Sequence, residues 1–179
     1  ICDELVIFDL DQSKAQKLKN SMNFPVKIAE TLEELLSAKT EVIVEAAGQR
    51  AVQEYYSKLL ASEAELIFMS TGALLNLNIA DPRIHFPAGA IGGLDALASA
   101  SLAGIKEITL TSRKNPKALA KTNKEESIVY EGYAEEAAKQ FPREMNVAAT
   151  LALTVKPVKV KVCVVSDPAV TRNTHEIQV

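Results

Sequence analysis

Short apolar runs alternate with amphipathic segments along the first half of the chain. The segment 49–63 places Val52, Tyr55, Tyr56, Leu59 and Leu60 at helical spacing. Thr31, followed three residues later by Glu34, forms a capping box that predicts the start of another helix. The apolar runs are unbroken and end in turn residues, which is typical of buried parallel strands; they lie in 4–11, 26–28, 41–48, 65–73 and 83–87. The pattern therefore predicts parallel βαβ units.

A period-two pattern replaces these runs after residue 100. Ile108 and Leu110 alternate with threonines, and the valines of 158–164 alternate with Lys159, Lys161 and Cys163. Helical patterns occupy parts of 126–142 and 143–155. Strands with one apolar and one polar face predict an open, mostly antiparallel sheet with helices on one side.

This change of pattern divides the chain into two predicted domains within an α/β fold class. We expect a Rossmann-like domain over 1–87 and an α+β domain with an open mixed or antiparallel sheet over 88–179. The sequence begins without Met inside a predicted strand and stops inside another. We therefore expect an N-terminal strand with its glycine-rich loop, and a C-terminal end, to lie outside it.

The amino-acid composition of the chain limits the kinds of molecule that it is expected to bind. The chain has 179 residues, a net charge of −3, no Trp and two Cys. Mild acidity argues against nucleic-acid and anionic-membrane binding, which require clustered Lys and Arg. Two widely separated cysteines favour a reducing, cytoplasmic compartment. The stretch 88–105 approaches the length of a membrane span, but its Asp95, glycines and serines argue against insertion.

Several residues at strand ends are candidates for cofactor binding. Asp9 and Asp11 follow the first apolar run, where an acid in dinucleotide folds accepts hydrogen bonds from the adenosine ribose. Gly48 and the segment 70–72 also end strands. Each of these positions is equally compatible with an ordinary polar turn.

The glycines at 89, 92 and 93 do not match the G-x-G-x-x-G pattern of a phosphate loop. They predict instead a turn before a helix that carries Asp95 in its first turn.

His175 and Asn146 are the candidates of the second half. His175 shares the apolar face of a predicted strand with Ile177 and Val179, which suits either a core histidine or a proton acceptor at a loop mouth. Asn146 begins a helix, where its amide either caps free N–H groups or binds a cofactor. His85 is interpreted as structural. The sequence contains no metal-ligand or serine-hydrolase motif, so no metal is expected.

Four motifs in order resemble the L-aspartate dehydrogenase family. They are "AGAIGGLDALASA", "FPREMNVAATLAL", "VKVKVCVVSDP" and "NTHEI". The similarity also covers "VEAAGQRAVQEYYSKLL" and "STGA", although the stretch before "RIHFP" is shorter than the helix expected there. The resemblance implies oxidation of L-aspartate with NAD or NADP to iminoaspartate, which feeds NAD biosynthesis or hydrolyses to oxaloacetate and ammonia.

The resemblance also implies that the Rossmann-like NAD(P)-binding domain of 1–87 is followed by an α+β catalytic domain over 88–179, and it implies roles for particular residues. The family's active-site histidine falls on His175, its cofactor contacts fall on Ala90 and Asn146, and the ribose-binding acid falls on Asp9. A dicarboxylate substrate needs cationic and polar donors, and Arg172 and Asn173 are the candidates. The charge of Asp9 favours NAD because it would repel a 2′-phosphate.

The sequence is compatible with three functions. An aspartate dehydrogenase is the first, and a related oxidoreductase of the homoserine dehydrogenase or dihydrodipicolinate reductase type is the second. The third is a non-catalytic dinucleotide-binding regulator. The apolar sheet faces also lead us to expect a homodimer.

Overall fold

The computed structural model describes residues 3–142 and 145–179. Its first half alternates strands and helices, as the apolar runs predicted. The elements are β1 (Leu5–Ile7), α1 (Gln12–Asn20), β2 (Val26–Ile28), α2 (Leu32–Ser37), β3 (Val42–Glu45), α3 (Gln49–Leu60), β4 (Glu65–Phe68), a 3₁₀ helix (Thr71–Asn76) and β5 (Ile84–His85). The short stretch before "RIHFP" therefore holds a 3₁₀ helix.

Every strand pairing in the described first half is parallel. β1 pairs with β2, and β3, β4 and β5 form a three-stranded sheet in that order. This arrangement confirms the predicted βαβ units. The helix starts are fixed locally: Asp11 caps α1 by accepting a hydrogen bond from the Ser13 amide, and Thr31 caps α2 by accepting one from the Glu34 amide at 3.1 Å.

The expectation that every apolar strand is buried is wrong for β3. Val42 is 47% exposed and Val44 is 58% exposed. Within residues 3–142 and 145–179, β3 pairs with β4 alone and the β1–β2 pair forms a separate sheet. Among the described residues, β3 is therefore the edge strand of its sheet and has one uncovered face.

The second half forms a four-stranded mixed sheet. Its elements are α4 (Leu94–Leu102), β6 (Ile108–Lys114), a 3₁₀ helix (Pro116–Leu119), β7 (Ser127–Tyr133), α5 (Ala134–Gln140), α6 (Asn146–Thr154), β8 (Val160–Ser166) and β9 (Thr174–Gln178). The predicted helix over 143–155 thus begins at Asn146 among the described residues, since Arg143 and Glu144 lie outside them. The strand order is β7-β8-β6-β9. The outer pairings are antiparallel, as predicted, but the central pairing of β6 with β8 is parallel.

One face of this sheet is buried under α5 and α6. Ile108 and Leu110 of β6 are fully buried, and Val160, Val162 and Val164 of β8 lie on the same face. The valine alternation is therefore confirmed. Towards the carboxyl end of β6, the same face continues with Ser112 and Lys114, which are also buried. A polar patch thus lies on the otherwise apolar inner face.

The glycine-rich stretch leads from the first half into α4. Gly93 precedes the helix with φ of +74°, a left-handed conformation that favours glycine. Asp95 lies in the first turn of α4, as predicted. Among the described helices, none is both long and apolar enough to cross a membrane.

Candidate functional site

A cleft lies where the polar end of the mixed sheet faces the domain junction. Its volume is about 440 Å³, and it is lined by Ala90, Lys114, Ala118, Asn146, Val147, Asn173 and His175. The lining comes from the loop before α4, the end of β6, the 3₁₀ helix that follows it, the start of α6 and the start of β9. The structure thus brings together four of the residues singled out from sequence: Ala90, Asn146, Asn173 and His175.

His175 is held by its neighbour across the sheet. The antiparallel register places it directly opposite Ser112. The Ser112 hydroxyl lies 2.9 Å from Nδ1 of the imidazole. His175 is half-buried, whereas Ser112 is buried with 2% exposure. The hydrogen bond thus engages Nδ1 of a ring that lines the cleft.

The surroundings of His175 lower its pKa. Burial of the ring is the larger cause, because it disfavours the charged imidazolium, and the positive charge of Lys114 acts in the same direction. Both effects favour the neutral form of the imidazole. A neutral ring can accept a proton, which is what a base working near neutral pH requires.

Lys114 is a cleft residue that the sequence analysis missed. It is the last residue of β6 and is 4% exposed. A lysine at the end of a strand is ordinarily solvent-facing. The period-two pattern could have located it, because Ile108 and Leu110 occupy the inner face and every second residue after them, Ser112 and Lys114, shares that face. Its ammonium group gives the cleft a cationic donor that suits a carboxylate.

Asn146 connects the two halves of the molecule. Its Oδ1 accepts a hydrogen bond from the Gly72 amide at 3.4 Å, and its carbonyl oxygen accepts one from Thr71 Oγ1 at 2.9 Å. Of the two alternatives left open for Asn146, the structure does not support helix capping, since Met145 occupies the N-cap position and forms no side-chain cap hydrogen bond. The Asn146 side chain instead fixes the turn after β4 against the start of α6.

Glu45 is a second residue that the sequence analysis missed. This buried carboxylate ends β3 and accepts hydrogen bonds from the amides of Ala47 and Gly48, both at 2.8 Å. It also accepts two from Ser70, from Oγ at 2.9 Å and from the amide at 3.1 Å. Glu45 therefore fixes the turns after β3 and β4 together. Like Asp9, it is an acid that ends an apolar strand, and this pattern could have revealed it.

The remaining predicted residues lie outside the cleft lining. Asp9 is half-buried at the end of β1, where its Oδ1 accepts a hydrogen bond from the Asp11 amide at 2.8 Å. Asp11 acts as the cap of α1, so Asp9 is the acid at the end of this strand whose position suits a ribose. Arg172 is exposed on the loop before β9 and does not line the cleft.

His85 lies at the surface, away from the cleft. The His85 ring forms an exposed contact with Glu65, with 2.6 Å between Nε2 and Oε2, and lies outside the cleft. In the part of the chain that the structure describes, no group of three or more His, Cys, Asp or Glu side chains could hold a metal ion.

Two family models match the chain, one in each half. Residues 4–81 match the model described as homoserine dehydrogenase, NAD binding domain. Residues 95–179 match the model described as aspartate dehydrogenase, C-terminal. The stretch between the two matches contains Ala90 and the glycine-rich turn. The parallel first half and the cleft beside the mixed sheet thus agree with an NAD-binding domain joined to a second domain.

Two similar proteins and a similar solved structure are all aspartate dehydrogenases. The L-aspartate dehydrogenase of Methanothermobacter thermautotrophicus is 35% identical over 96% of this chain and 69% of its own length, and that of Archaeoglobus fulgidus is 40% identical over 86% of this chain and 66% of its own length. The crystal structure of aspartate dehydrogenase from Thermotoga maritima matches with a TM-score of 0.75 and 30% identity, covering 99% of this chain and 84% of that one. Fold and site define a two-domain NAD(P)-dependent dehydrogenase. The chain belongs to the L-aspartate dehydrogenase family.

Proposed function

We propose that this protein is an L-aspartate dehydrogenase, which oxidises the CH–NH₂ group of L-aspartate to the imine with NAD or NADP. The observation that carries the proposal is the cleft itself. A neutral half-buried imidazole, His175, and a cationic donor, Lys114, line the same cavity as Ala90 and Asn146 at the junction with the NAD-binding half. A base, a carboxylate-binding group and a neighbouring dinucleotide site are what this oxidation requires.

The residues present fit a dinucleotide. Around Gly89, Gly92 and Gly93, beside the cleft residue Ala90, an added Cβ would meet no atom within 4 Å, so the backbone of this turn is open to approach. Asp9 ends β1 with a carboxylate that can accept hydrogen bonds from ribose hydroxyls. Ala90 and Asn146 would hold the nicotinamide end of the cofactor. When bound, the cofactor supplies the acceptor for the hydride.

The substrate would be held by its carboxylates and acted on by His175. Lys114 presents an ammonium group to the cleft, and Asn173 lies on the same lining, so both are assigned to substrate binding. Arg172, exposed on the neighbouring loop, would contribute its charge at the cleft mouth. His175 accepts a proton at Nε2 from the substrate amino group, or activates the water that hydrolyses the imine.

The proposal extends to domains, assembly and location. We place the boundary between the dinucleotide-binding and catalytic domains at residues 87–88. Leu102, 87% exposed at the end of α4, and Ile128, 64% exposed on β7, are apolar groups that a second copy could cover, which supports a homodimer. We assign the protein to the cytoplasm, with no nucleic-acid or membrane partner, on its mild acidity and cysteine content.

A substrate comparison tests the proposed reaction. The initial rate of NADH or NADPH formation is measured with L-aspartate and with L-homoserine at equal concentrations, and reduction of a dihydrodipicolinate is measured in the reverse direction. The proposal expects turnover with aspartate and background rates with the others. Turnover with homoserine or dihydrodipicolinate alone would assign the related oxidoreductase classes. Cofactor binding by calorimetry without any turnover would assign a regulator.

A further inference from the structure

Ser112 is a buried serine on the otherwise apolar inner face of β6. It belongs to the inner face of β6, between Leu110 and Lys114, and is as buried as the apolar residues that precede it. In the described ranges, 3–142 and 145–179, its hydroxyl has a single hydrogen-bond partner, Nδ1 of His175. A buried polar group costs free energy unless it is hydrogen-bonded, so this contact accounts for the serine at an otherwise apolar strand position.

We propose that Ser112 is a positioning residue for the reaction: it holds Nδ1 of His175 and thereby directs Nε2 to the substrate. This inference rests on the proposed function, because it assumes that His175 exchanges a proton with the substrate. Ser112 itself does not line the cleft, so it acts through the imidazole and not on the reacting atoms.

A hydroxyl group suits this position because its oxygen accepts a hydrogen bond without carrying a charge. For Nε2 to accept a proton, the neutral ring must carry its hydrogen on Nδ1, so Ser112 Oγ accepts from Nδ1–H both before and after the transfer. The contact therefore survives proton transfer at Nε2, and the ring keeps its orientation through the reaction. A carboxylate at the same position would also accept, but its charge would favour the imidazolium form.

Three variants separate positioning from structure. Ser112→Ala removes the hydroxyl and is expected to lower kcat about tenfold, with little change in the KM for the cofactor. Ser112→Thr keeps a hydroxyl and is expected to restore most of the rate. Thr111→Val is the matched control, since Thr111 is the adjacent residue on the opposite face, where it pairs with Glu176. It removes a hydroxyl from the same strand and is expected to leave kcat unchanged.

A spectroscopic readout tests the contact without the reaction. The chain contains two histidines, so selective ¹⁵N-histidine labelling gives two imidazole signals, and His85→Gln assigns them. We expect His175 to show a single dominant tautomer in the wild-type protein and a mixture in Ser112→Ala. The Nδ1 hydrogen of the protonated ring should exchange about tenfold faster in Ser112→Ala than in the wild-type protein.

The two readouts distinguish the possible failures. An unchanged tautomer ratio and exchange rate in Ser112→Ala would overturn the positioning role, whatever the activity. A changed tautomer ratio with full kcat would overturn its importance for the reaction. If the tautomer responds but the wild-type protein does not oxidise aspartate, the proposed function fails and the inference about the reaction fails with it, while the Ser112–His175 contact stands.

Discussion

The hydroxyl groups of Thr71 and Thr150 lie 3.1 Å apart and join the two halves of the molecule. Both residues are buried. Thr150 donates to Thr71, and Thr71 donates in turn to the Asn146 carbonyl oxygen at 2.9 Å. The turn after β4 is thus connected to α6, whose first residue lines the cleft. The geometry of the cleft depends on this polar contact between domains.

Replacing Thr71 with Val should weaken the domain junction. The change keeps the shape of the side chain but removes two hydrogen bonds, and it leaves the buried Thr150 hydroxyl without its acceptor. We expect the free energy of unfolding to fall by about 1–3 kcal/mol, measured by urea denaturation. Thr154→Val is the control, because in the described part of the chain the Thr154 hydroxyl bonds within α6, to the Thr150 carbonyl oxygen. Equal losses in the two variants would contradict a special role for the junction.

Glu45→Gln should disturb the turns after β3 and β4. A glutamine keeps an oxygen for the Ala47 and Gly48 amides, but its NH₂ group cannot accept from the Ser70 amide. We expect a loss of about 1–3 kcal/mol in the free energy of unfolding, together with weaker NADH binding by fluorescence titration. Glu41→Gln, at an exposed acid just before the same strand, is the control. Unchanged stability and unchanged NADH affinity would show that Glu45 does not organise these turns.

Lys114→Met should change how kcat/KM depends on pH, in a direction that follows from the charge of Lys114. The positive charge of Lys114 disfavours the imidazolium and so lowers the pKa of His175. Removing that charge raises this pKa, and because the base must be unprotonated, the acidic limb of the kcat/KM profile should shift to higher pH. Among the described residues of the cleft lining, the other polar side chains besides His175 are those of Asn146 and Asn173, which carry no charge. The KM for aspartate should rise as well, since a carboxylate loses its cationic partner.

If the acidic limb of the kcat/KM profile of Lys114→Met moved to lower pH, the electrostatic account of the His175 pKa would be contradicted. An unchanged KM for aspartate would contradict the assignment of Lys114 to substrate binding. The two results are independent, because the first depends on the charge near the imidazole and the second on contact with the substrate.

Asp9→Ser should change the preference between the two cofactors. The substitution removes the carboxylate that would bind the ribose hydroxyls and repel a 2′-phosphate. We expect the ratio of kcat/KM for NAD to kcat/KM for NADP to fall by about tenfold or more, a difference of roughly 1.4 kcal/mol. An unchanged ratio would place the adenosine ribose away from Asp9.

Local sequence patterns accounted for much of the fold because they reflect local physics. The valines at 160, 162 and 164 lie buried on one face as their alternation predicted, and Thr31 and Glu34 cap α2. The same reasoning was wrong for Val42 and Val44, since exposure depends on which other elements cover a strand. Such coverage is a property of the tertiary structure and not of the strand.

The candidate site was only partly accessible to sequence reasoning. The alternation correctly placed His175 on the same strand face as Ile177, but its contact with Ser112 depends on a strand register that joins residues 63 positions apart. Lys114 and Glu45 were missed because a charged residue that ends a strand is usually solvated. Both were within reach of patterns already noted: the period of two along β6, and the acids at strand ends.

The most direct test of the account is aspartate-dependent NADH formation by His175→Ala, measured beside NADH binding. The account predicts that kcat falls by about 10²-fold or more, as for the loss of a general base, while the dissociation constant of NADH changes little. His85→Ala is the matched control, because it removes the other histidine from an exposed contact with Glu65 and should leave both quantities unchanged. Full turnover by His175→Ala would contradict the central claim.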